Sequence, residues 1–270
     1  MTQTLPPLLL IGGGKMGSAL LAGWLEQGAT QIAVIDPAPA AQQLAGPLVK
    51  VYSSLDHLPP NFLPKVLILA IKPQMAASAL PAYRMLAAGQ VAISIMAGKT
   101  IAELQYLLGP AASIVRAMPN TPAAIRQGIT VAIAPANALS KNQRILTTRL
   151  LAAVGEVAWV DDEALIDPVT AVSGSGPAYV FLLAECLEQA GIAQGLPPDL
   201  ARSLARQTIT GAGNLLAASE ESATQLRQNV TSPSGTTAAA LAVLMASLPE
   251  LMKQAVAAAT ARSRELSAQG

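Results

Sequence analysis

One histidine, His57, and one cysteine, Cys186, are all that 270 residues supply of the side chains that most often bind metals or act as nucleophiles. A multi-histidine metal centre is therefore excluded, and so is an internal disulfide. His57 stands beside Pro59-Pro60 and reads as a loop residue, while Cys186 lies in an apolar helical stretch where a buried structural thiol is expected. Aromatic residues make up 3% and charged residues 12%, with a formal net charge of +1 and no basic stripe that would mark a nucleic-acid surface. A membrane span needs ~20 consecutive apolar residues. The best candidates, such as Val169 to Ala184, are interrupted by glycine, proline or polar residues, so no span is expected. The N-terminal MTQTLPPLLLIGGG lacks a basic segment before its apolar part and does not read as a signal peptide. These absences point to a reducing, cytoplasmic setting without metal, nucleic acid or membrane.

What is present is apolar. The mean hydropathy of +0.44 is high for a soluble chain of this size, and a subunit interface is the natural place to absorb the excess. Length allows two domains, since single domains cluster near ~100 to 200 residues. From Leu8 to about Val160, aliphatic runs alternate with helical stretches. Strands are expected near Leu8 to Ile11, Ile32 to Ile35, Leu48 to Tyr52, Val66 to Ala70, Val91 to Ile95, Ile114 to Ala117, Ile129 to Ala134 and Glu156 to Val160. The runs are continuously apolar rather than alternating, as in strands covered on both faces. Thr100-x-x-Glu103 and Ser140-x-x-Gln143 carry capping-box spacing at helix starts. The pattern is α/β, a Rossmann-type doubly wound and mostly parallel sheet over residues 1–162, whose ligands should lie beyond the carboxyl ends of the strands.

The stretch LLLIGGGKMG, Leu8 to Gly17, is strand, glycine turn and helix start in succession. Gly12 would allow the tight turn, Gly14 the approach of backbone to a pyrophosphate and Gly17 close packing of helix on strand, with the helix's free N–H groups facing the phosphates. With 20 glycines a bare G-x-G-x-x-G is weak, but here a strand precedes it. Asp36 closes the next apolar run at the distance expected of a ribose-binding acid. Two further strand ends run into proline, at Ala70-Ile71-Lys72-Pro73 and at Met118-Pro119-Asn120-Thr121-Pro122. Proline stops each strand and stiffens its exit. Asn120 is then placed for nicotinamide or its ribose, the alternative being a rigid turn without ligand contact. Met96-Ala97-Gly98 supplies small residues after the fifth strand.

Beyond Asp161 no convincing strand follows. Residues 163–270 read as an all-helical domain, with helices over Pro177 to Ala190, Pro197 to Leu216, Ala223 to Asn229 and Thr236 to Leu266, the last broken at Pro249. Their faces are apolar almost all round, so they should pack against a second copy of themselves. Two small-residue breaks, Val172 to Pro177 and Val230 to Thr237, would present N–H groups to an anion such as a substrate carboxylate, with hydroxyls of Ser232, Thr236 and Thr237 in support. An ordinary helix cap is the simpler alternative. A nicotinamide domain joined to a helical domain implies hydride transfer. Ketone reduction needs a proton donor at the carbonyl oxygen. No lysine lies between Lys141 and Lys253 and the one histidine is elsewhere, whereas an iminium carbon accepts hydride without further acid. Tyr179 remains an alternative donor. The rival readings are a β-hydroxyacid dehydrogenase, a reductase of another imine or of a deazaflavin, and a dinucleotide-binding scaffold without turnover.

GGGKMG, AIKP, SIMAG, RAMPNTPA, VSGSGPAYVFLLAE and NVTSPSGTTAAAL occur in an order and at intervals that resemble the pyrroline-5-carboxylate reductases over nearly the whole chain. The resemblance implies reduction of the cyclic imine 1-pyrroline-5-carboxylate to L-proline by NADPH or NADH, the last step of proline synthesis. It also implies a helical dimerisation domain and often a larger ring of dimers. Position by position, it implies that Gly12, Gly14, Lys15, Met16 and Gly17 cradle the pyrophosphate. Ala70, Lys72, Pro73, Met96, Ala97 and Asn120 would line the rest of the cofactor. Ser232, Gly235, Thr236 and Thr237 would hold the substrate carboxylate, with Thr237 also bonded to the ring nitrogen and Glu220 near the substrate. Two departures stand out: Ser234-Gly235 replaces a Gly-Gly pair, and residues 52–64 are longer than usual and rich in proline.

Overall fold

The computed structural model describes residues 4–268. The chain forms two compact units: one comprises the residues up to Gly174 together with those from Ala259 onward, the other runs from Ser175 to Ala258.

The first unit is built on one sheet of β1 (Leu8–Ile11), β2 (Ile32–Ile35), β3 (Val49–Tyr52), β4 (Val66–Leu69), β5 (Val91–Ser94), β6 (Ser113–Met118), β7 (Gly128–Ile133) and β8 (Gly155–Trp159). Their order is β3-β2-β1-β4-β5-β6-β7-β8. Every strand expected from the sequence is present. All residues of β1, β2, β4 and β5 are buried, which is why their sequences run apolar without alternation. The order reverses between β1 and β4, so a crevice opens there at the carboxyl ends. The β6–β7 pairing is antiparallel and β8 runs parallel to β7, so these last two strands are reversed against the other six. The link between β6 and β7 is a short loop with one 3-10 turn, Thr121–Ile125, too brief for the crossover a parallel pair requires.

Helix α1 (Lys15–Glu26) follows β1, α2 (Ile101–Leu108) follows β5, and α3 (Lys141–Leu151) crosses from β7 to β8. Both anticipated capping boxes form, Thr100 with Glu103 on α2 and Ser140 with Gln143 on α3. Two apolar layers cover the sheet, one containing Leu8, Leu10, Leu20, Trp24 and Leu150, the other Leu9, Ile11, Tyr83, Leu104 and Ile166. Trp24 is wholly buried, and its indole N–H donates to the Leu150 carbonyl at 2.9 Å, tying α1 to α3.

The second unit consists of α4 (Gly176–Ala193), α5 (Pro198–Ala218), α6 (Ala223–Asn229) and most of α7 (Thr236–Ala268), whose final turns belong to the first unit. It has little interior of its own. No residue of α4 is buried, and α5 buries only Ala201 and Ala205. Phe181 is 62% exposed and Val243 73%.

Four expectations are corrected here. Cys186 is exposed rather than buried, because α4 is at most partly covered within this chain and Cys186 lies off that side. α7 runs through Pro249 without a break. A proline removes one N–H and crowds the carbonyl four residues back. The alanine-rich turns on either side are strong helix formers that carry the helix past that defect. Its continuity makes α7 a helix long and apolar enough to cross a membrane by length and composition, a stretch the sequence was expected to lack. Its last turns nonetheless bond to protein, the Ser263 hydroxyl donating to Asp167 Oδ1 at 2.7 Å. Finally, the first small-residue break is not a turn. Thr170–Gly174 winds as a π-helix, with Gly174 close to Met118, and α4 starts two residues later.

Trp24→Phe should keep the packing and orphan the Leu150 carbonyl, destabilising the first unit by about 1–3 kcal/mol. A lower urea midpoint at unchanged slope checks this.

Candidate active site

The glycine turn after β1 is shaped by contact between backbones. Gly12 has φ +101°, and its N–H donates to the Ile35 carbonyl at 2.9 Å. A β-carbon at position 12 would stand 2.5 Å from the Ala70 carbonyl oxygen, and one at Gly17 would collide with the Gly12 carbonyl oxygen. Neither neighbour can yield without moving a strand or a helix, so both positions demand glycine. Gly14 caps α1 with no side chain, open space surrounds the place a β-carbon would take, and no acidic residue stands in the first turn. The leading N–H groups of α1 are therefore unpaired and carry the positive end of the helix dipole. Lys15 is exposed beside them, and Met16 packs on the core below. This cradle fits a pyrophosphate: a β-carbon would have filled it and a carboxylate would have repelled the ligand.

Asp36, just past β2, has both carboxylate oxygens engaged. Oδ2 accepts from Gly13 N at 2.7 Å and Oδ1 from Ala38 N at 2.8 Å. The acid thus fixes the glycine turn against the second strand, while each oxygen keeps a lone pair for a ligand hydroxyl.

The exits of β4 and β5 complete this edge. Ala70 N donates to the Ile11 carbonyl at 2.7 Å, Lys72 is exposed, and Pro73 opens a 3-10 turn. Met96 is buried and Ala97 exposed. A cavity of about 540 Å³ is lined by Pro73, Gln74, Ala77, Ala97, Gly98, Lys99 and Leu266. It is of the size that small-molecule sites occupy. Asn120 follows Pro119 beyond β6, and its Oδ1 accepts the Ile129 N–H at 2.9 Å. That bond is the rigid-turn role foreseen as the alternative, and it leaves the amide NH₂ of Asn120 free.

Two charged residues escaped the sequence reading. Arg116, within β6, is 4% exposed, and its Nη1 donates to Glu163 Oε1 at 2.8 Å. The same oxygen accepts the Ile101 N–H at 2.9 Å, at the start of α2. An arginine inside the apolar run IVRAM was the available signal, since a buried charge requires a partner. The pair ties β6 to the helix that follows Met96-Ala97-Gly98. Next to it, burial raises the Glu103 carboxyl, but bonds from the Thr100 N–H, the Lys99 ammonium and the Thr100 hydroxyl outweigh burial and hold it below its ordinary value of 4.5.

In the second unit, Thr231 N donates to the Gln228 carbonyl at 3.0 Å, closing α6, and the chain turns through Ser232, Pro233, Ser234 and Gly235 into α7. Ser234 holds φ +59°. Gly235 N donates to the Ser232 carbonyl at 3.1 Å, and a β-carbon at Gly235 would strike the Ser232 hydroxyl. Ser232 and Gly235 are thus brought together. Thr236 is exposed and Thr237 half-buried, both on the first turn of α7. Glu220 is exposed and makes no hydrogen bond to this turn, whereas its neighbour Glu221 accepts from Asn229.

The strand order, the switch point and the uncapped glycine turn define a Rossmann-type dinucleotide-binding protein. The sequence matches the family described as NADP oxidoreductase coenzyme F420-dependent over residues 8–98 and that of pyrroline-5-carboxylate reductase dimerisation over residues 163–266. It is 41% identical over 270 residues to the pyrroline-5-carboxylate reductase of Pseudomonas aeruginosa, covering 98% of each chain. It is 39% identical over 264 residues to that of Haemophilus influenzae, covering 96% of this chain and 97% of the other. The structure of a pyrroline-5-carboxylate reductase from Coxiella burnetii superposes with a TM-score of 0.90 at 35% identity, over 97% of this chain and 98% of that one. A pyrroline carboxylate reductase of Plasmodium falciparum with NADP bound gives 0.82 at 29% identity, over 97% and 98%. The chain belongs to the pyrroline-5-carboxylate reductase family.

The depressed Glu103 carboxyl contributes stability above its unfolded pKa, and that contribution fades as pH falls through the lower folded value. Acid titration of the melting temperature should therefore fall more steeply below about pH 4.5 in the wild type than in Glu103→Gln. Parallel curves would show that the carboxylate is not held this way.

Proposed function

We propose that this chain reduces 1-pyrroline-5-carboxylate to L-proline with NADH or NADPH, and that its parts divide as follows. Gly12, Gly14, Lys15, Met16 and Gly17 cradle the pyrophosphate, and Asp36 accepts from the adenosine ribose. Ala70, Lys72, Pro73, Met96, Ala97 and Asn120 line the remainder, with the free NH₂ of Asn120 available to the nicotinamide end. When bound, the dinucleotide supplies a hydride.

The observation that carries the reading is the pair of helix starts left open to anions, the leading end of α1 and that of α7, which together suit a pyrophosphate and a carboxylate. The Ser232–Thr237 turn holds the substrate's carboxylate, Ser232 and Gly235 fixing its shape and Thr236 adding a hydroxyl. Thr237 hydrogen-bonds the ring nitrogen. As the imine carbon gains hydride, the π pair passes to nitrogen, and Thr237 steadies that nitrogen without acting as the acid. The absence of lysine from residues 142–252 accords with this, because a protonated imine needs no donor there. Glu220 approaches the substrate from the segment before α6.

The exposed apolar faces of α4, α5 and α7 are covered by a second copy, giving a homodimer that assembles into a ring of dimers. The same pairing, rather than a bilayer, takes up the apolar face of α7. A lone cysteine with no disulfide partner suits a reducing cytoplasm.

The test is oxidation of NADH and of NADPH with pyrroline-5-carboxylate as acceptor. Turnover is expected with both, NADH at least comparable, since Asp36 accepts from a ribose hydroxyl and repels a 2′-phosphate. An NADPH preference above roughly a hundredfold, about 2.7 kcal/mol, would overturn the role of Asp36, and no turnover at all would overturn the activity.

Thr237→Ala should lower kcat/KM on the order of ten- to a hundredfold with little change in dinucleotide affinity, the scale of a hydrogen bond to developing charge. Near-normal turnover would remove Thr237 from the mechanism.

A further inference from the structure

The proline-rich stretch after β3 has no part in the reading above. It leaves the sheet at its ligand-facing edge. The Tyr52 carbonyl, at the end of β3, accepts the Asp36 N–H at 3.0 Å, so Ser53 lies one residue from a direct partner of Asp36. A single 3-10 turn, Leu55–His57, then folds the imidazole back over the serines: Nδ1 is 2.9 Å from Ser53 Oγ and 3.3 Å from Ser54 Oγ. Leu55 and Leu58 flank this turn and pack into the layer that holds Leu9, Ile11 and Ile35, so the exposed ring is held by anchored neighbours.

The proton on Nδ1 decides what that corner offers. An imidazolium donates Nδ1–H to a serine oxygen, which frees the serine hydroxyls as donors and leaves Nε2–H as a further donor directed away from the serines; a neutral ring that accepts a serine hydroxyl at Nδ1 also keeps its proton on Nε2. No lysine or arginine occurs between Met16 and Val49, and across the segments that follow β2 and β3, residues 36–44 and 53–58, His57 is the only side chain able to carry positive charge. Asp36 shares this edge, its two oxygens tied to the N–H groups of Gly13 and Ala38. In a doubly wound dinucleotide fold the adenosine ribose lies by the acid at the end of the second strand.

We propose that Ser53, Ser54 and His57 form the reader of the cofactor's adenosine 2′ position, accepting a 2′-phosphate through the imidazole N–H and the hydroxyls, while Asp36 accepts from a free 2′-hydroxyl. The proposal rests on the dinucleotide site described above. It explains how a chain with an acid at the end of β2 and no arginine after it uses NADPH alongside NADH: each form of the ribose meets its own side chain.

Calorimetric titration of NAD⁺ and NADP⁺ into the intact wild-type protein and His57→Gln, near neutral pH, tests this without turnover. The variant should bind NADP⁺ roughly tenfold more weakly, the worth of one charge-assisted hydrogen bond, with NAD⁺ affinity within about twofold of wild type. Because His57 is exposed, its replacement leaves the core untouched. Equal weakening of both ligands, or no change in either, overturns the assignment of His57 and leaves the dinucleotide site standing. Failure of both ligands to bind wild type overturns the dinucleotide site and this reader with it.

Discussion

A carbonyl oxygen, that of Ala70, occupies the space a side chain at position 12 would need. From that contact the geometry of the first unit's ligand edge follows. Gly12 must be glycine, so β1 can turn at once into α1. Gly17 must be glycine too, so the helix can lie on the turn it has just left. With both satisfied, α1 presents its bare N-terminus at the point where the strand order reverses, and Asp36 fastens the turn from the neighbouring strand. Fold and proposed anion site are here the same object, because the backbone atoms that define one also line the other.

The sequence disclosed this part well because its signals are local. Strands buried on both faces must be uniformly apolar, capping boxes are written within four residues, and a glycine turn between strand and helix has few other uses. What escaped it depends on atoms distant in sequence. Nothing near Asn120 says that Ile129 N–H will claim its side-chain oxygen, and nothing near Arg116 says that Glu163 will neutralise it. The misjudged helix features have a common origin. Pro249 was weighed by its own penalty and not against the helix formers on either side, the small residues of 172–177 by their turn propensity, and Cys186 by the hydropathy of its neighbours and not by what covers its helix.

The two units differ in how they solve burial. The first has a sheet between two apolar layers and is complete in itself. The second exposes Phe181, Val243 and much else that water disfavours, and its helices have almost no interior residues within one chain. A family match to a dimerisation region over residues 163–266 accounts for that imbalance. Hydropathy of the whole chain had registered the excess without locating it.

Ser234 holds a left-handed φ of +59°, a conformation glycine adopts without strain. An L-residue there is strained by about 1 kcal/mol. Yet serine samples far fewer backbone states than glycine when the loop is unstructured, so it has less freedom to surrender on ordering. The loop that precedes α7 is in this respect preorganised: strain carried permanently in the folded protein replaces disorder that would otherwise have to be quenched whenever the loop is ordered.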